Sequence, residues 1–270
     1  MICAVPEAPC ASALKVIGVG GCGKNAVNSL IQGGLAGIGF IAANTDSAGL
    51  AKSLADHKIR LGGDFANAFG AKNNPASGCL ASFESMEQIK AALSGASVVV
   101  IVAGMGGGAG TGAVHAIAQA AKKMGALTVG IVTTPFAFEG KKRQENAEAG
   151  IAALREHLDS LVIISNDGLL ALAPEGSSLP FLFGKANEIL LSAFKGIADL
   201  IVAKEPDLFL RGEAPATVGE KPRSTSKISC DEVKAGLANL ACAYGAPITV
   251  SGHDSANDNA NTGAQSNIAG

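Results

Sequence analysis

The chain has 270 residues, 48% of them apolar, with a formal net charge of −2 and a pI near 6.1. That length holds one large or two modest domains around a substantial core. The near-neutral charge and the lack of any Lys/Arg-rich block argue against a protein built around non-specific nucleic-acid binding. Ten Phe, one Tyr and no Trp leave little material for base-stacking platforms, whereas 35 glycines need a reason.

Cys3, Cys10, Cys22, Cys79, Cys230 and Cys242 form no C-x-x-C pair, and His57, His115, His157 and His253 are scattered, so no zinc spacing appears. A chain of this size needs no disulfides, and free thiols in a reducing, cytoplasmic compartment are the expectation. Residues 1–12 lack the basic and then apolar regions of a secretory signal. The strongest apolar run, residues 98–103, is far too short to span a bilayer, so no direct membrane insertion is expected.

In chain order the sequence alternates strand-like and helix-like segments, as in a parallel sheet covered on both faces. The spacing predicts a strand at 14–19, a helix at 25–32, a strand at 40–43 and a short third strand at 59–61. It then predicts a buried strand at 98–103, an alanine-rich helix at 113–124, a strand at 127–132, a helix at 139–157 and a strand at 160–164. Residues 180–202 carry Leu182, Ala186, Ile189, Leu190, Phe194, Ile197 and Ile201 at helical spacing, which predicts a long helix. The reading is an α/β, Rossmann-like, mostly parallel sheet with helices on both faces, ending in that long core helix. Residues 1–13 read as an N-terminal extension, 14–203 as the compact unit, 204–228 as a proline-bearing linker, 229–250 as a short helix and strand, and 251–270 as a disordered tail.

Residues 18–23 (GVGGCG) follow a strand and precede a helix. Glycines let a backbone approach a phosphate, and the free N–H groups of a helix start favour an anion. Three readings of this loop stand side by side. Gly18, Gly20 and Gly23 satisfy the dinucleotide pattern G-x-G-x-x-G, with Asp46 near the place of a ribose-binding acid. Gly18, Gly23 and Lys24 satisfy all but the last position of G-x-x-x-x-G-K-[ST], where Asn25 replaces the hydroxyl. The third reading is a tight turn with no ligand.

A second loop, residues 104–112 (GMGGGAGTG), also leaves a buried strand and opens a helix. A dehydrogenase or P-loop protein needs one such loop. Two on neighbouring strand ends suggest a di- or triphosphate held from both sides at the carboxyl edge of the sheet. Six glycines in nine residues would otherwise lose much conformational entropy for no gain. A nicotinamide dehydrogenase built on residues 18–23 is disfavoured, because it leaves the second loop unexplained and has no evident His/Asp/Arg catalytic set.

With both loops in view, residues 14–203 resemble the GTP-binding domain of the FtsZ family, the bacterial relatives of tubulin. The stretches VIGVGGCGKNAVN, FIAANTD, VAGMGGGAGTGA, GALTVGIVTTPFAFEGKKRQENAEAGI and ISND carry the resemblance, in order. The GGGAGTG of the second loop resembles the family signature G-G-G-T-G-T-G. The resemblance implies GTP or GDP as ligand, with Mg2+ as a compatible ion. It implies Gly20, Gly21, Cys22, Gly23 and Asn25, with Lys24 beside them, in a first phosphate loop, and Gly107, Gly108, Ala109, Gly110, Thr111 and Gly112 in the signature loop. Asp46 and the segment of residues 70–75, including Ala71, match stretches that approach the phosphates and metal, and Thr133 joins the same set. Glu139 and Arg143, four apart on one helical face, would contact ribose and base. Asn166 would reach sugar and base, and Phe183 would stack on guanine.

Three departures from the family pattern bear on function. Ala109 stands where the signature has Thr, which removes one hydroxyl donor to phosphate, worth about 1–2 kcal/mol if nothing compensates; Lys24 could offset part of this. Asn187 stands where the family uses Asp to read guanine, and a neutral amide offers a single acceptor oxygen, which weakens guanine selectivity. The family's N-x-D-x-x-D catalytic loop does not follow the long helix: Leu208 and Leu210 fall on its first two polar positions and Glu213 on its last. The expectation is therefore a filament-associated GTP-binding protein of bacterial cell division. It hydrolyses GTP weakly, or only with the catalytic loop of a full-length FtsZ partner or another copy seated on its nucleotide face. A non-catalytic capping or regulatory module is the alternative, and the division site is the expected place of action.

Overall fold

The computed structural model describes residues 13–35, 37–63, 71, 74–174, 176–204 and 248–252. Six parallel strands build the sheet: β1 (Leu14–Val19), β2 (Ile38–Asn44), β3 (His57–Arg60), β4 (Val98–Gly104), β5 (Leu127–Thr134) and β6 (Ser160–Ser165). A seventh, β7 (Ile248–Gly252), pairs antiparallel with β6, Ile164 opposite Ile248 and Ser160 opposite Gly252. The strand order is β3-β2-β1-β4-β5-β6-β7. The helices are α1 (Gly20–Gln32), α2 (Ser47–Ala51), α3 (Pro75–Glu84), α4 (Met86–Leu93), α5 (Gly108–Lys123), α6 (Lys141–Arg155), α7 (Asn166–Leu172) and α8 (Leu179–Lys204).

Inside the edge strand β3 the sheet is buried on both faces, which is why strands such as β1, β2 and β4 are near-continuous apolar runs rather than alternating ones. In β4, Val98, Val100 and Val102 face one core, which α1, α7 and α8 close with Val27, Leu30, Leu169, Leu190 and Phe194. Val99, Ile101 and Ala103 face the other, which α4, α5 and α6 close with Ile89, Val114, Ile117, Ile151 and Leu154. The long helix α8 buries Leu182, Ala186, Leu190, Phe194 and Ile197, five of the seven positions its periodicity picked out. Lys15 in β1 is fully buried. Its ammonium donates to the carbonyls of Ala92 (2.7 Å) and Ser94 (2.6 Å) at the C-terminal end of α4, where a cation complements the helix dipole.

The structure differs from the sequence reading in four places. The helices after β1 and β4 begin at Gly20 and Gly108, not at residues 25 and 113, so part of each glycine run is the first turn of a helix. Tertiary packing there overrides the low helix propensity of glycine. The segment read as a helix at 139–157 splits into a short 3-10 turn, Ala137–Glu139, and α6, separated by Gly140 at φ +102°. Helices α2, α3, α4 and α7 are absent from the sequence reading: α3 carries no strong apolar stripe, and α4, which buries Ile89, Ala92 and Leu93, is only eight residues long. Asn74 caps α3 by accepting from Ala76 N at 3.1 Å, and Pro75 follows at its first position. Last, β7 brings residues from beyond 203 onto the sheet, and includes Ser251 and Gly252 of the segment read as tail. The remainder of residues 204–270, with Leu208, Leu210, Glu213 and the helix read within 229–250, lies outside the described residues apart from Lys204.

Candidate functional site

β1 and β4 are neighbours, with Val19 opposite Ala103; β1 runs straight into α1, and β4 reaches α5 through the short turn of residues 105–107. β1 also pairs with β2 on its other side, so the order of the strands reverses here. That is the crevice where open α/β sheets receive ligands. Two helix N-termini therefore open side by side. Gly20 has φ +72°, and a side chain there would stand 3.1 Å from the Gly110 amide nitrogen, so the loops touch. Gly106 has φ +94°, and its N–H donates to the Thr111 hydroxyl at 2.7 Å, which fixes the turn into α5.

The glycines divide by task. A Cβ on Gly18 or Gly23 would strike the other residue's backbone, so this pair lets α1 lie against β1. Gly112 faces Pro75 O, with the Cys79 nitrogen 2.7 Å from where its Cβ would be, and lets α3 pack on α5. Gly21, by contrast, has open space before it.

The opening leads into a cavity of about 520 Å³, within the roughly 300–1,000 Å³ usual for small-molecule sites. Of the residues picked out from the sequence, Gly20, Gly21, Cys22, Asn25, Ala71, Gly107, Gly108, Ala109, Gly110, Thr133, Glu139, Arg143, Asn166, Phe183 and Asn187 line it. Gly23, Lys24, Asp46, Thr111 and Gly112 do not. Gly23 and Gly112 serve packing, and Thr111 serves its own loop. The exposed Asp46 caps α2, accepting from Ala48 N and Gly49 N at 3.0 Å each, and Lys24 lies partly buried beside the loop. The sequence reading passed over Thr45, Met105, Thr134, Pro135 and Ala186, which also line the cavity. Thr45 accepts from Ala71 N at 3.3 Å. Its place next to Asp46, straight after β2, was the available signal.

Besides the glycine loops the cavity is lined by polar groups with unmet capacity. Glu139 accepts from Phe136 N at 3.0 Å and pairs with Arg143 at 2.5 Å. The Arg143 Nε is buried without a hydrogen-bond partner, and so is the Oδ1 of Asn166, a residue only 5% exposed. Buried polar atoms are normally paired, so two orphans on one cavity wall call for a group to meet them. Phe183 meets the buried Phe136 edge-on at 5.4 Å, and Phe136 stacks on the exposed Phe138 at 4.9 Å. The Cys22 sulfur lies 3.6 Å from the Thr133 hydroxyl, and burial holds its thiol above the usual range.

Residues 13–174 match the family described as "Tubulin/FtsZ family, GTPase domain". Among solved structures, the chain is similar to the FtsZ dimer, empty, of M. jannaschii: 42% identity, TM-score 0.67, covering 70% of this chain and 55% of that one. It is likewise similar to the FtsZ W319Y mutant of the same organism, with 42% identity, TM-score 0.67, 70% of this chain and 57% of that one. CetZ2 from Haloferax volcanii, solved as a GTPgS-bound protofilament, shares the fold at 24% identity and TM-score 0.60, covering 67% of this chain and 56% of that one. The chain thus spans about half the length of the FtsZ structures it matches. Proteins of the matched family bind GTP or GDP. The paired helix starts, the GGGAGTG turn and the extent of the match agree: this chain belongs to the tubulin/FtsZ family and carries its GTPase-domain fold.

Proposed function

We propose that this chain is an FtsZ-like GTP-binding protein of bacterial cell division. It works in the cytoplasm in association with a filament, and its GTP hydrolysis is weak or depends on a partner's catalytic loop. The observation that carries the nucleotide reading is the pairing of two features in one cavity. Two glycine-opened helix starts line it, and so do Asn166 and Arg143 with the unpartnered Oδ1 and Nε. A guanine nucleotide fits both features. The first turns of α1 and α5 offer N–H groups to phosphate oxygens. Glu139 accepts from ribose hydroxyls, and Asn166, Asn187 and Arg143 meet sugar and base, with Phe183 against the ring. GTP supplies the phosphoanhydride bond, and Mg2+ would be held chiefly through its phosphate oxygens. Among the described residues no group of three His, Cys, Asp or Glu side chains stands close enough to hold a metal by itself.

The partner is full-length FtsZ or a second copy, met through the nucleotide face. The similar FtsZ solved as a dimer supports self-association. Weak intrinsic hydrolysis rests on the sequence after α8, where Leu208 and Leu210 replace polar residues of the family's catalytic loop. Among the described residues no helix is long and apolar enough to cross a membrane.

Light scattering with phosphate release tests this reading. The purified chain with GTP should release phosphate slowly, and adding full-length FtsZ should accelerate release without shortening the filaments. Filaments suppressed at substoichiometric amounts, with no added turnover, would favour the capping module instead. No effect on either signal would reject both.

A further inference from the structure

Cys22 sits in the first turn of α1, on the wall of the same cavity. Its sulfur is held between strand ends. A side chain on Gly104 of β4 would come within 3.2 Å of it, and the Thr133 hydroxyl of β5 lies 3.6 Å away. Cys22 lines the cavity together with Gly21, Gly107 and Gly108. An independent observation shows that this cavity awaits a ligand: the Asn166 Oδ1, buried and unpartnered, lies on its wall. We infer that Cys22 is a thiol-modification site whose covalent capping and nucleotide occupancy exclude each other, which makes nucleotide binding sensitive to small disulfides and electrophiles. The inference rests on the nucleotide reading above and adds regulation of that site.

The chemistry is thiol–disulfide exchange. The Cys22 sulfur, as thiolate, attacks one sulfur of a small disulfide such as oxidised glutathione. The new S–S bond forms as the old one breaks, and the departing thiolate takes up the proton that Cys22 lost. The group added then fills space that the phosphates need. Burial disfavours the thiolate, so the reaction is slow at neutral pH and speeds as the pH rises. Burial raises the Cys79 thiol too, but Cys79 lies outside the cavity on α3, its sulfur 3.4 Å from His115 Nε2.

Peptide-resolved mass spectrometry on the full chain tests the inference, with N-ethylmaleimide and, separately, oxidised glutathione, each with and without saturating GDP. The expected result is at least tenfold slower labelling of Cys22 with GDP and unchanged labelling of Cys79. Protein capped at Cys22 should lose GDP binding at least tenfold, and a thiol reductant should restore it after glutathione treatment. In Cys22→Ala, treated and untreated samples should bind GDP alike, whatever their affinity. Labelling of Cys22 at the same rate with and without GDP would overturn the inference, as would capped protein that still binds GDP fully or a Cys22 that takes no label. If the untreated chain binds no GDP, GTP or other nucleotide, the nucleotide reading itself fails and the inference goes with it.

Discussion

Asn166→Ala should move stability and binding in opposite directions. The Asn166 side chain is 95% buried, with its Oδ1 unpartnered, at the first position of α7. An unmet buried acceptor costs about 1–3 kcal/mol, while truncation to Ala forfeits roughly 0.8 kcal/mol or more of packing. The empty protein should therefore be unchanged or stabilised by up to about 2 kcal/mol. With nucleotide present the same truncation removes a made hydrogen bond, worth about 0.5–1.5 kcal/mol, or roughly a two- to twelvefold rise in Kd. Urea unfolding of the empty chain and calorimetric titration with GDP read the two effects separately. A stability loss beyond about 2 kcal/mol with GDP affinity unchanged would refute the reasoning, because Asn166 would then be structural.

The glycines of α1 should separate by task. Gly23→Ala drives a methyl into the Val102 carbonyl and should cost about 1–3 kcal/mol or more, whereas Gly21→Ala, facing open space, should leave unfolding within about 0.5 kcal/mol. Thr111→Val strands the buried Gly106 N–H and should cost about 1–3 kcal/mol in denaturant unfolding. Arg143→Ala breaks a partly exposed ion pair, so stability should change by less than about 1 kcal/mol while GDP affinity falls severalfold in the same titration. Burial holds His115 below its ordinary 6.5, with His157 adding to the shift. Its folded state thus favours the neutral ring. The His115 contribution is present above pH 6.5 and is lost as the pH falls below it. The acid limb of a stability–pH curve should flatten in His115→Gln.

Much of the fold was legible because the parallel strands other than the edge strand β3 are largely buried on both faces and show as apolar runs, and because α8 keeps helical spacing through Phe194 and Ile197. What stayed hidden has a common physical cause. α3 packs through small residues such as Gly78 against Gly108 and leaves Leu80 and Phe83 exposed, so its sequence lacks the apolar stripe that marks a helix. The first turns of α1 and α5 are glycines whose place is set by contact between the two loops, which no local propensity records. At the site, the types of residue could be read from motifs, but not their division of labour. Gly20 and Gly23 look alike in sequence, and only the structure shows one against the other loop and the other pressed to β4. Asp46, drawn toward the phosphates by its motif, spends both carboxylate oxygens capping α2.

Equilibrium titration of the full-length chain with GTP, GDP, ATP and NADH tests the central claim most directly, with Asn187→Asp and Ala109→Thr alongside. The account predicts saturable binding of GTP and GDP, mutually competitive, with ATP and NADH weaker and both substitutions tightening GTP binding. Tight NADH binding with no detectable GTP or GDP binding, unrescued by either substitution, would contradict it.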